Sequence, residues 1–117
     1  MNFDAAIALC RTFPGATEST KWGNDLVFSV GDKMFAVTNL GEATGMSFKV
    51  EDERFLELTD RPGIIPAPYL ARAKWVYVED AKALGDEEAA QLLRRSYALV
   101  FGKLTKKVQR EIGGNVA

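Results

Sequence analysis

The runs Asp25-Leu-Val-Phe-Ser-Val30 and Lys33-Met-Phe-Ala-Val-Thr38, rich in β-branched and aromatic residues and separated only by Gly31-Asp32, constrain this chain more than any other feature. Two strand-forming runs joined by two residues predict a tight β-hairpin, and Gly31 at the first turn position supplies the positive φ that a type II′ turn needs. A two-residue loop also sets a register in which Val30 opposes Lys33, Phe28 opposes Phe35 and Leu26 opposes Val37. Leu26, Phe28, Phe35 and Val37 are then expected on one face, turned toward helices. Val27, Ser29, Met34, Ala36 and Thr38 fall on the other.

The segment Met46-Ser-Phe-Lys-Val50, after the glycine-bounded loop 39–45, alternates with period two, so Met46, Phe48 and Val50 point one way and Ser47 and Lys49 the other. A third antiparallel strand follows. Lys74-Trp-Val-Tyr-Val-Glu79 reads as another strand, and Ala16 to Trp22 as a short edge strand or extended loop. Helical spacing links Phe3, Ala6, Ile7, Cys10 and Phe13 behind Asn2 as N-cap, with Pro14-Gly15 ending the helix. Glu51, Asp52 and Glu53 place negative charge where a short helix over Arg54 to Leu58 begins. A longer helix is predicted from Asp86 as N-cap, with Ala89, Leu92, Leu93, Tyr97, Val100 and Leu104 on its buried side. Gly102 weakens its end, and a basic helical turn from Lys106 to Ile112 precedes Gly113-Gly114. Residues 60–72 hold three of the four prolines and predict an ordered, turn-rich connection. The pattern is α+β: one two-layer domain over 1–117, with an antiparallel sheet of about five strands and helices packed on one face.

With 117 residues, 47% of them hydrophobic, the chain buries a core without disulfides or metal. It contains no histidine and one cysteine, which excludes Ser-His-Asp, Cys-His and histidine-metal chemistry, and any cysteine-rich zinc or iron–sulfur site within the chain. Cys10 sits at core spacing. Gly41 to Gly45 has neither the length nor the Lys-Ser/Thr of a phosphate loop, and the acidic triplet lacks the glycine and alternating acids of a calcium loop. No catalytic residue, metal site or cofactor is therefore expected, and the chain reads as a binding domain rather than an enzyme. No apolar run is long enough to span a bilayer and the N-terminus lacks the features of a secretory signal, so no membrane association is expected and the cytoplasm is the expected location.

Net charge is −1, but six bases (Arg94, Arg95, Lys103, Lys106, Lys107 and Arg110) face a single acid between Arg94 and Glu111. Such asymmetry fits either a polyanion-binding face or a helix whose charges complement its dipole.

Several strings in order resemble one family. Pro14-Gly15-Ala16-Thr17-Glu18, Lys21-Trp22-Gly23, Gly31-Asp32-Lys33-Met34-Phe35-Ala36 and Ser47-Phe48-Lys49-Val50 are similar to its first half. Pro62 to Leu70, Lys74-Trp75-Val76 and Ser96-Tyr97-Ala98-Leu99-Val100 are similar to its second. This is the MmcQ/YjbR group of small bacterial proteins. The resemblance implies a two-layer domain with an antiparallel sheet, likened both to double-wing DNA-binding domains and to secretion chaperones, and it implies DNA binding.

Two candidate sites follow. Nucleic acid needs cations for phosphates and, for single strands, aromatic faces for bases. Lys21, Lys33, Lys49, Arg72, Lys74 and Trp75 are the candidates, with DNA as the expected partner. The alternative is a peptide- or protein-binding groove built on the Pro62 to Arg72 connection and the open sheet face, with Trp22, Ile64, Tyr69 and Leu70 as its walls. A near-neutral, slightly acidic chain is unlike most DNA binders. Oligomeric state is not readable from these residues.

Overall fold

The computed structural model describes residues 1–39, 41 and 44–113. Gly114 and most of the loop between Asn39 and Thr44 lie outside the described residues. In chain order the elements are α1 (Phe3–Arg11), β1 (Thr17–Lys21), β2 (Asp25–Val30), β3 (Lys33–Asn39), β4 (Met46–Lys49), α2 (Asp52–Thr59), β5 (Ile64–Pro66), β6 (Trp75–Val78), α3 (Asp86–Phe101) and α4 (Lys106–Gly113). Short 3-10 turns occupy Ala71–Ala73 and Ala81–Ala83.

All strand pairs are antiparallel, in the order β1-β2-β3-β4-β6-β5. The sheet has six strands rather than five, because Thr17–Lys21 pairs as an edge and three residues of the proline-rich connection, Ile64–Pro66, pair with β6. Pro66 is tolerated there because β5 is an edge strand, where a missing N–H breaks no ladder.

The hairpin forms at Gly31-Asp32, with two corrections to its expected geometry. Both turn residues have positive φ, 56° and 66°, so the turn is type I′ rather than II′. The register starts as expected at Val30↔Lys33 and Ser29↔Met34, but then shifts so that Phe28 pairs with Ala36, Val27 with Val37 and Leu26 with Thr38. Phe35 is an extra, bulged residue. A bulge puts two successive side chains on the same side and reverses the alternation beyond it. Phe35, Ala36 and Thr38 therefore turn toward the helices, and Val37 turns to the opposite face, the reverse of the expected placement for Ala36, Thr38 and Val37.

Phe35 earns its inward position by packing. Its ring lies 5.5 Å from Tyr97 in an edge-on arrangement, 5.7 Å from Phe13 and 6.2 Å from Phe28. It joins Leu26, Phe28, Val30, Met46, Phe48, Val76, Val78 and Ile64 in the core cluster under the helices. Fully burying one such side chain contributes about 1.5–3 kcal/mol. Helix α3 packs across β2, β3 and β4, α1 lies beside α3, and α2 packs on β5 and β6. Asn2 caps α1 by accepting from Ala5 N–H at 3.0 Å. Gly85, not Asp86, occupies the N-cap of α3; Asp86 begins the first turn and accepts from Asn2 N–H at 2.7 Å, tying the two helix starts together. Cys10 is fully buried in this core, and burial pushes its thiol up to about 12.

Arginines staple α2 to α3. Arg61 donates to both oxygens of Glu88 at 2.7 and 3.0 Å and to Glu57 at 2.6 Å, while Arg54 reaches Glu57 at 3.0 Å and Glu88 at 3.2 Å. Hydrogen bonds from Arg61 hold both glutamates below the ordinary value of 4.5. A carboxylate whose folded pKa is depressed stabilises the fold above its unfolded pKa and loses that contribution as pH falls through the folded value. Urea midpoints are thus expected to hold between pH 7 and 5 and to fall below pH 4.5. Glu88→Gln should cost about 1 kcal/mol at pH 7, the upper end for a partly exposed pair, and should flatten the acid limb. An unchanged acid limb in that variant would remove Glu88 from the account.

Candidate functional site

The face of the sheet turned away from the helices is only partly covered. Strand alternation places Asp25, Val27, Met34, Val37, Ser47, Lys49, Trp75 and Tyr77 on it. After β5 the chain folds back across this face through Ala67 to Lys74. Ala67 N–H donates to Trp75 O at 3.0 Å and Trp75 N–H to Leu70 O at 3.2 Å, which pins the connection against β6. Val27 and Trp75 on this face, and Ala67 in the covering segment, are buried outside the main core cluster.

Where the covering stops, a cleft of about 540 Å³ opens, lined by Trp22, Asp25, Met34, Val37, Ser47 and Ala67–Leu70. Its floor is the sheet. One wall is the β1–β2 turn carrying Trp22, and the other is the connection carrying Pro68, Tyr69 and Leu70. A shallower depression of about 220 Å³ shares Asp25, Val37, Ser47 and Pro68 and continues to Tyr77 and Gly45. The bulge at Phe35 makes this site: by reversing the alternation it delivers Val37 to the cleft floor instead of the core.

The rim residues are unusual in two respects. Trp22 is 67% exposed and Tyr69 fully exposed. Both also have left-handed backbones, with φ of 50° and 66°. A bulky residue in that region costs of order 1–3 kcal/mol, a strain that recurs at ligand-contacting positions. The carboxylate of Asp25 is half-buried on the floor and forms no hydrogen bond or ion pair among the described residues. Lys21 stands opposite Asp25 in the β1–β2 register without bridging to it.

The structure brings Trp22, Tyr69 and Leu70 of the expected groove together. Ile64 is not among them: it is 1% exposed, on the helix side, where its strand position pairs it with Val78 and buries it beneath α2. Trp75 is only 4% exposed, so its ring offers no free face for a base. Lysines expected on one surface divide between two. Lys33, Lys49 and Lys74 lie at the end of the sheet where β3 and β6 begin and β4 ends, with exposed Arg72 two residues before Lys74. Lys21 lies at the other end of the hairpin, five residues along β2, roughly 17 Å away. Lys49 Nζ donates to Ala73 O at 2.5 Å, and partial burial, followed by repulsion from Lys103, lowers its pKa, with Asp52 opposing and Lys74 adding to the effect. Lys74 Nζ lies 5.1 Å from the centre of the Phe55 ring. The sequence named Lys103 among the clustered bases and put Met34 on the open face, but it assigned none of Asp25, Met34 and Val37 to a groove. The places of Asp25 and Val37 depend on the bulge and on a fold-back between distant segments, which leave no local pattern.

No group of three or more Asp, Glu, Cys or His able to hold a metal occurs among the described residues, and no described helix is long and apolar enough to cross a membrane.

The family model described as YjbR matches residues 11–99, which contain every residue lining the cleft. A crystal structure of the Deinococcus radiodurans protein DR2400, with the family domain DUF419, superposes with a TM-score of 0.82 at 31% identity, covering 96% of this chain and 88% of that one. A crystal structure of a Pseudomonas syringae protein is similar in fold, with a TM-score of 0.68 at 23% identity over 86% of this chain and 99% of that one. No functionally curated protein matches the chain.

Proposed function

The chain belongs to the YjbR family, and from that premise we propose that it is a non-catalytic binding module whose open-face cleft receives a segment of a partner polypeptide. The observation that carries this reading is the pair of exposed aromatics, Trp22 and Tyr69, held on left-handed backbones at the rim of one largely apolar cleft. Tyrosine and tryptophan are the side chains that most often dominate binding energy once a partner desolvates them. The cleft continues into the shallower depression along the sheet, which suits an extended segment more than a compact small molecule. The chain has no histidine and its one cysteine is buried as a thiol, so the side chain that most often serves as a base near neutral pH is absent and the thiol is withheld from solvent.

A second reading rests on a separate observation. Lys33, Lys49, Arg72, Lys74 and Lys103 gather near one end of the sheet, a surface suited to the phosphates of a nucleic acid. The test pairs the two. Peptides selected from a displayed library against the wild-type domain are expected to bind about 30-fold more weakly to Trp22→Ala and Tyr69→Ala, from the loss of about 2 kcal/mol typical of an anchor residue. Lys49→Glu and a change from 50 to 200 mM salt should leave them nearly unmoved. The polypeptide reading fails if no peptide is enriched. It also fails if a labelled oligonucleotide binds at 50 mM salt, is lost at 200 mM, and responds to Lys49→Glu but not to Tyr69→Ala.

A further inference from the structure

We infer that the group this cleft reads is an arginine side chain of the partner polypeptide, seated between the rings of Trp22 and Tyr69 with its guanidinium on the carboxylate of Asp25. This rests on the polypeptide reading above and names what that site selects.

Asp25 carries the argument. Glu18, Glu51, Glu57 and Glu88 each pair with an arginine of this chain. Asp25 is half-buried at the floor of both depressions, yet its carboxylate has no hydrogen-bond or ion-pair partner among the described residues. Lys21, directly across the strand pair, does not bridge to it. An occupant that is neutral and apolar would strip water from this carboxylate and give nothing back, and an anionic occupant would be repelled by it. A cation is the complementary charge, and its attraction strengthens as the occupant closes the cleft to water.

The walls narrow the choice among cations. Met34 and Val37 line the floor with apolar surface for an aliphatic stem, and Trp22 and Tyr69 offer two exposed ring faces at the rim. Aromatic faces attract cations, and a planar guanidinium stacks on a ring while its fork of N–H donors matches a carboxylate. An ammonium satisfies the charge but not the stacking. Phosphate ligands are directed instead to the lysines at the far end of the sheet.

The test uses three pools of nine-residue peptides with randomised uncharged flanks and a fixed central arginine, citrulline or glutamate. Binding is read by the fluorescence of Trp22, with Trp22→Phe as the blank and the emission of buried Trp75 as the check on folding. In the wild type the arginine pool is expected to bind at least tenfold more tightly than the citrulline pool. In Asp25→Asn that preference should fall below twofold, with the affinity of the citrulline pool unchanged. Equal binding of the arginine and citrulline pools would overturn the inference and leave the polypeptide reading standing, as would preference for the glutamate pool. An arginine preference undiminished in Asp25→Asn would also overturn it. Failure of every pool to bind would overturn both.

Discussion

Ser96→Ala is expected to lower the unfolding free energy by about 2–4 kcal/mol, although it removes a single oxygen. Ser96 is fully buried on α3. Its hydroxyl donates to Phe35 O at 2.7 Å and accepts from Lys49 N–H at 3.0 Å. Both partners are backbone groups at places where the sheet is irregular. Phe35 is the bulged residue of β3, and Lys49 is the last residue of β4. One side chain thus satisfies two backbone groups, one buried and one partly buried, and a buried group left unpaired costs about 1–3 kcal/mol. In a domain of this size the loss corresponds to a fall in Tm of roughly 10–20 °C. Urea denaturation would measure it. A change below 1 kcal/mol would mean that other groups or water replace the hydroxyl at no cost. Since the bulge sets Val37 on the cleft floor, Ser96→Ala should also loosen the site, visible as increased amide exchange at Ala36 and Val37.

Gly63→Ala is expected to cost about 3 kcal/mol or more, for two reasons that a control separates. Gly63 has φ of 91°, a backbone state that side chains rarely adopt, and a Cβ there would sit 2.7 Å from Asp80 Cβ and 3.0 Å from Ala83 Cβ. Neither contact is the tip of a flexible side chain, so the 3-10 turn over Ala81–Ala83 must shift. That shift is opposed because Gly63 O accepts from Glu79 N–H at 2.9 Å and Asp80 N–H at 3.2 Å, the bonds that fasten the entry of β5 to the exit of β6. Strain accounts for about 1–3 kcal/mol and overpacking for a similar amount. Gly23 is the control: its φ is 89°, but nothing lies within 4 Å of the added Cβ. Gly23→Ala should therefore show the strain alone, about 1–2 kcal/mol by thermal or urea unfolding. Equal losses in the two variants would remove the steric part of the argument.

These two positions illustrate what local pattern can and cannot carry. Gly31-Asp32 announced the hairpin, because turn chemistry depends on adjacent residues. Met46, Phe48 and Val50 faced the core as their alternation required, with Ser47 and Lys49 turned away. Asn2, Cys10, Leu92, Leu93 and Val100 took helix positions that their spacing demanded. The bulge at Phe35 carried no such mark. It follows from the fit of one ring among Phe13, Phe28 and Tyr97 and from a hydroxyl 61 residues away in sequence, and it displaced every facing assignment beyond it on β3. Gly63 likewise stands in a proline-rich stretch whose close neighbours, Asp80 and Ala83, come from beyond the next strand.

The candidate site divides along the same line. Trp22, Tyr69 and Leu70 were legible as apolar residues in or beside turns that could wall a groove, whereas Ile64, two residues from Pro62 and of similar character, fell to the core because β5 pairs at the sheet edge with that side inward. The sequence by itself determined an α+β domain, the identity of most elements, the lack of histidine chemistry and a chain-long family pattern, since these rest on composition and on spacings within single elements. Only the tertiary structure decided that Val37 and Asp25 share a cleft with Tyr69, that Trp75 is sealed beneath the connection, and that Lys21 stands apart from the other lysines. Those outcomes depend on strand register and on one segment folding back over another, where packing among distant residues selects between arrangements that local propensity leaves nearly equal in energy.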